Sequence, residues 1–228
     1  MLGIIGAMPE EVEFLKDKFT ILKESNYFNL RFYEGEIFNN QVVLTQSGIG
    51  KVNAAMATTV LFEKYDIDYV INIGTAGGIK RECEVLDIVL SEKVCYHDVD
   101  LTAFNYEYGQ VPKFPLYFKT DDSLLSLAQK ILVKENIPYH KGLIVSGDSF
   151  INKKTQVDNI NKHFRDVIAV EMEACAISHI CYLYNKPCII IRSLSDIAGK
   201  KSHISFESFL KQSAETSGKL VLKMIQNM

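Results

Sequence analysis

The chain has 228 residues, 47% of them hydrophobic and 23% charged, with a formal net charge of −3. That hydrophobic share excludes disorder as the main state, and the length suits a single domain over residues 1–228. The balance of 25 basic against 28 acidic residues leaves no electrostatic footprint for nucleic acid or an anionic membrane. No apolar run approaches the roughly 20 residues of a membrane helix. The first residues carry no basic leader and run into Pro9-Glu10-Glu11, so no signal peptide is expected and the cytoplasm is the expected compartment.

In chain order, Leu2–Gly6 reads as a buried strand. Pro9 followed by two acids opens a helix carrying Val12, Leu15 and Phe19 inward. Residues 30–38 and 41–46 flank Asn39-Asn40 and read as a hairpin. A helix over 51–65 leads to a strand over 69–73, then to Gly74-Thr75-Ala76-Gly77-Gly78, either a plain turn or a place of close ligand approach. A strand over 87–94 precedes an aromatic-rich segment, 95–118, with little regular pattern. The rest alternates: helix 122–135 capped by Asp121 or Asp122, strand 142–146, helix 154–164, strand 167–170, helix 174–184, strand 188–194 and a closing amphipathic helix over 206–225. Such alternation predicts an α/β three-layer sandwich, with a central mixed sheet flanked by helices. The five cysteines form no C-x-x-C pair and read as buried small hydrophobes.

Ligands of open α/β sheets collect beyond the carboxyl ends of the strands. Six predicted strand ends here supply glycine, hydroxyl or carboxylate: Met8 to Glu11, Ser47 to Lys51, Gly74 to Gly78, Ser146 to Phe150, Glu171 to Glu173, and Ser193 to Asp196. Gly48-Ile49-Gly50-Lys51 resembles the tail of a P-loop, but Thr45 sits where the first glycine belongs and Val52 replaces the magnesium-holding hydroxyl. His97-Asp98-Val99-Asp100 lacks metal-ligand spacing and reads as a loop hydrogen-bond cluster, so no metal is expected. No histidine pairs with a plausible nucleophile. Glu171 and Glu173 stand two apart at a strand end and are expected to share a face. Any one acid is read most simply as a helix cap. Glu11, Glu173 and Asp196 at neighbouring strand ends favour metal-free acid–base cleavage through an oxocarbenium-like state instead. Asp196, after a very apolar strand, is the candidate proton donor.

The sequence resembles the bacterial 5′-methylthioadenosine/S-adenosylhomocysteine nucleosidases, of the purine nucleoside phosphorylase superfamily. The likeness rests on Gly3-Ile4-Ile5-Gly6-Ala7-Met8, on Ser47 to Ala55, on Tyr96-His97-Asp98-Val99-Asp100, on Thr102-Ala103-Phe104, on Tyr106-Glu107-Tyr108-Gly109-Gln110, and on the segments 142–152, 169–174 and 192–198. It implies a nucleoside phosphorylase/hydrolase-like fold and hydrolysis of the adenine–ribose bond without a cofactor. By this resemblance Asp196 protonates adenine N7 with Ser195 beside it, Glu11 activates water, and Glu173 binds the ribose hydroxyls with Met172 against the sugar. Phe150 stacks on adenine and the Ile151 backbone reads the base edge, while Thr75, Gly77 and Arg192 line the ribose and water region. Met8, Ile49, Leu101, Phe104, Tyr106 and Phe206 form the apolar 5′ pocket, with Leu101 and Tyr106 reaching the neighbouring site of a homodimer. Methionine salvage and methyl-cycle detoxification are the implied setting, with 5′-deoxyadenosine as a further substrate. The rival readings are an aminodeoxyfutalosine nucleosidase, a purine nucleoside phosphorylase and a catalytically silent nucleoside sensor. Only four arginines are present, few for anchoring phosphate.

Overall fold

A computed structural model describes residues 1–200 and 202–228. The strands are β1 (Leu2–Gly6), β2 (Thr20–Tyr27), β3 (Leu30–Ile37), β4 (Asn40–Gln46), β5 (Tyr69–Gly78), β6 (Ile88–Tyr96), β7 (Phe118–Lys119), β8 (Tyr139–Ser146), β9 (Val167–Glu171) and β10 (Cys188–Ile197). The helices are α1 (Pro9–Lys16), α2 (Lys51–Lys64), α3 (Asp122–Lys134), α4 (Lys154–His163), α5 (Ala174–Leu183) and α6 (Ser202–Gln226).

All strands join one mixed sheet, flanked by helices as expected. Neighbouring isoleucines point to opposite faces, which is the period of two at work. Ile190 packs with Ala54, Leu61, Cys175 and Ile177 of α2 and α5. Ile189 and Ile191 pack with Leu15, Leu125, Leu132, Val221 and Met224 of α1, α3 and α6. A third cluster seats Ile160 and Phe164 against Val145 and Val167. All five cysteines are free and buried.

Part of the sheet closes on itself. β10 pairs in parallel with β5 and antiparallel with β6, and β6, β8, β9 and β5 complete the ring. β1, β4, β3 and β2 extend from β5 as an open wing. Periodicity cannot reveal such closure, because it depends on which strands meet.

Several elements differ from expectation. β2 was not predicted, since Thr20–Tyr27 carries Lys23, Glu24, Ser25 and Asn26 and pairs only with β3; charges on an edge strand suit solvent, not a core. Residues 74–78 are no turn but the continuation of β5, paired with Arg192 to Ile197 of β10. Phe19 is buried yet lies past the end of α1. Helix α6 begins at Ser202, a turn before the predicted start. Asp121 caps α3 as expected, its carboxylate accepting from the amides of Ser123 and Leu124 at 3.0 Å each.

Candidate active site

A cavity of about 260 Å³ opens where the ends of β1, β5, β9 and β10 converge. β5 and β9 run antiparallel and overlap only through their last residues, Gly77 against Val170 and Gly78 against Ala169. That overlap brings the end of β9 beside the end of β5. Glu11, Glu173 and Asp196 all line this cavity, with Thr75, Gly77, Ser195, Phe150, Ile151, Met172, Met8, Ile49 and Phe206.

Glu11 is the third residue of α1 and is buried. One oxygen accepts from the amides of Ala7 (2.7 Å) and Met8 (3.2 Å), so it does cap its own helix. Its other oxygen accepts from the Thr75 amide (2.9 Å) and hydroxyl (3.3 Å). Position 74 must be glycine for this approach, because a Cβ there would stand 2.7 Å from a Glu11 oxygen. Burial raises the Glu11 pKa, while the Arg192 charge and the three amides pull it back down.

Asp196 owes its aim to a β-bulge. Leu194 pairs with Ala76 and Asp196 with Gly77, leaving Ser195 as the extra residue of β10. The Ser195 hydroxyl donates to Asp196 Oδ1 at 2.9 Å. Burial raises the Asp196 pKa and the hydroxyl bond opposes it. A Cβ at position 77 would lie 3.1 Å from Asp196 Oδ2, so Gly77 leaves the carboxyl room.

Glu171 and Glu173 divide the work assigned to acids at this strand end. Glu171 does the capping: its Oε2 accepts from the amides of Glu173 (3.0 Å) and Ala174 (2.7 Å) at the start of α5. It also pairs with Arg192 Nη2 at 2.8 Å and accepts from the Ser146 hydroxyl. Glu173 makes no cap and faces the cavity, with Oε1 accepting from the Gly50 amide at 2.8 Å. Burial, then the Glu171 charge, pushes its pKa up to about 8.

Arg192 departs from its implied place. It does not line the cavity; it is buried, and Nη2 donates to Glu171 and to Asn72 Oδ1 at 2.6 Å. Its Nε is buried and has no partner among the described residues. The rings of Phe150 and Phe206 meet edge-on at 5.7 Å between centroids, giving the mouth an apolar wall. Leu101, Phe104 and Tyr106 lie outside the cavity on the segment after β6, where Phe104 is 72% exposed. Ala7, Ala76, Ser149, Val170 and Glu171 line the cavity but were missed as site residues. Ala7, Ala76, Ser149 and Val170 are small or apolar neighbours with little chemical signal of their own, whereas Glu171 is read from the sequence as a strand-end acid but not as a site residue.

The family model described as the phosphorylase superfamily matches residues 1–226. A 5′-methylthioadenosine/S-adenosylhomocysteine nucleosidase of Bacillus thuringiensis subsp. konkukian (strain 97-27) is 47% identical over 228 residues, covering 100% of this chain and 99% of the relative. Among solved structures, the nucleosidase of that type from Neisseria meningitidis, in complex with methylthio-immucillin-A, superposes with a TM-score of 0.97 at 42% identity. It covers 100% of this chain and 99% of that one. The Colwellia psychrerythraea 34H nucleosidase in complex with adenine gives a TM-score of 0.95 at 46% identity, covering 98% and 93%.

Proposed function

The chain belongs to the 5′-methylthioadenosine/S-adenosylhomocysteine nucleosidase family of the phosphorylase superfamily, and we propose that it hydrolyses the N-glycosidic bond of both nucleosides to adenine and the 5-thioribose product. The observation that carries the chemistry is the contrast between two buried acids. Glu11 accepts from three amides and feels the Arg192 charge, all of which favour its carboxylate. For Asp196, burial favours the acid form, opposed by the hydroxyls of Ser195 and Ser202. Environments that separate two acids in this way assign a base and a proton donor.

In this reading Asp196 gives its proton to adenine N7, so that the base leaves neutral. Glu11 takes a proton from the attacking water as oxygen bonds to C1′. Glu173 accepts from the ribose hydroxyls, with Met172 against the sugar and Phe150 against adenine. Those hydroxyls would favour the Glu173 carboxylate in the complex, where it steadies positive charge developing on the ribose. The wall of Met8, Ile49 and Phe206 suits a thioether.

Phosphorolysis is disfavoured by the same contacts. The Ala7, Met8 and Thr75 amides, which could cradle an anion, are already taken by the protein's own carboxylate. Adenine release from methylthioadenosine in phosphate-free buffer is the test; strict dependence on phosphate would overturn the hydrolytic reading.

The active form is proposed to be a homodimer, supported by the exposed arm bearing Leu101, Phe104 and Tyr106. Methionine salvage and a cytoplasmic setting complete the proposal. In line with the latter, no helix among the described residues is long and apolar enough to cross a membrane.

A further inference from the structure

The motif Tyr96-His97-Asp98-Val99-Asp100 has no part in the chemistry above, yet Asp98 stands at the junction of three loops that do. Its Oδ2 accepts from Lys51 Nζ at 2.6 Å and from the Asp148 amide at 3.0 Å. Asp148 Oδ1 in turn accepts from the Lys51 amide at 2.8 Å. The next amide towards the N-terminus, Gly50, is the one that donates to Glu173. Two consecutive amides at the start of α2 are thus each held by a carboxylate from another loop. One of those carboxylates is the proposed ribose ligand.

The junction is tightly packed. A Cβ at Gly147 would fall 2.4 Å from His97 Cε1 and 3.0 Å from Asp98 Cγ, so the loop of Asp148 closes directly onto the loop of Asp98. Lys51 Nζ also sits 3.8 Å from Asp148 Oδ2 and 5.4 Å from the Tyr96 ring centre. Lys51 and Asp98 are only 22% and 27% exposed, which shields their pairing more than an ordinary surface bridge. Gly50 adopts φ +97°, a backbone state that its neighbours must hold in place.

We propose that Asp98 is a positioning residue for Glu173: through Lys51 and Asp148 it fixes the start of α2, and so sets the Gly50 amide that orients the Glu173 carboxylate under the ribose. The proposal rests on the reading of Glu173 as the ribose ligand. Asp98 is not among the residues lining the cavity, and the proposal routes its effect through Glu173 to the ribose hydroxyls.

The test compares Asp98→Ala and Lys51→Met with wild type on methylthioadenosine and on its 2′-deoxy analogue, with unfolding midpoints measured in parallel. Small displacements of a binding group lower rates by up to about 100-fold, so each variant is expected to lose about 10- to 100-fold in kcat/KM on methylthioadenosine. On the 2′-deoxy analogue the loss should be clearly smaller than on methylthioadenosine, because one of the two ribose hydroxyls that Glu173 holds is gone. Equal losses on both substrates, or none on either, would overturn the proposal. Asp98→Asn keeps the side-chain volume and serves if Asp98→Ala does not fold; it is held to the same inequality. Wild-type enzyme indifferent to the 2′-hydroxyl would instead overturn the Glu173 assignment, a result visible before Asp98 is changed.

Discussion

Glu11 and Asp196 are both carboxyl side chains, both buried, and both raised in pKa by that burial. What separates them is the count of donors aimed at each. Ser195 donates a hydroxyl bond to Asp196 that, with the Ser202 hydroxyl, favours its charged form. Ser195→Ala should therefore raise the Asp196 pKa further and move the alkaline limb of the kcat/KM profile to higher pH; a limb shifted downward would refute Asp196 as the proton donor. Glu173 carries a stability signature. Its folded pKa of about 8 exceeds the usual 4.5, so between those values the folded state holds a proton that the unfolded chain has lost. The stabilisation is complete below about 4.5 and is lost as pH rises through about 8. The unfolding midpoint of the ligand-free protein should accordingly fall across that window, with a shallower slope in Glu173→Gln. An unchanged slope in the variant would contradict the shift.

Among the elements, the end of β9 ties the most together. Glu171 joins Arg192 on β10, Ser146 on β8 and the first amides of α5. Removing one member of a buried ion pair leaves the other charge uncompensated, at a cost of about 3 to 5 kcal/mol. Glu171→Leu should lower the unfolding free energy by that amount in denaturant titration, and a loss below about 1 kcal/mol would mean that Arg192 finds another partner. Their spacing in sequence puts Glu171 and Glu173 on one face, with Glu173 alone as the expected site acid. The exit from β9 separates them: Glu171 ends the strand and accepts the Glu173 and Ala174 amides, while Glu173 stands at the start of α5 and faces the cavity. Likewise the glycines of residues 74–78 looked like a turn, because glycine is common in turns. Here it is Glu11 that excludes a Cβ at Gly74, while a Cβ at Gly77 would crowd Asp196 Oδ2 at 3.1 Å.

At the scale of the whole molecule, the arm after β6 places Leu101, Phe104 and Tyr106 away from the cavity of their own chain. A homodimer, as proposed, would give Leu101 and Tyr106 the neighbouring site to complete. Sedimentation should find a dimer, and Tyr106→Ala should raise KM for methylthioadenosine while sparing catalysis; a fully active monomer would refute the assembly. Periodicity and turn chemistry were enough to read most helices and strands and the two-faced core, because those patterns are written between near neighbours. The polar edge strand β2 escaped that reading, having no buried face to advertise. Three further features were decided only by tertiary contact: the closure of β10 onto β5 and β6, the bulge at Ser195, and the Arg192–Glu171 pair. Each joins residues far apart in the chain, and the pKa values that distinguish one acid from another depend on those distant neighbours.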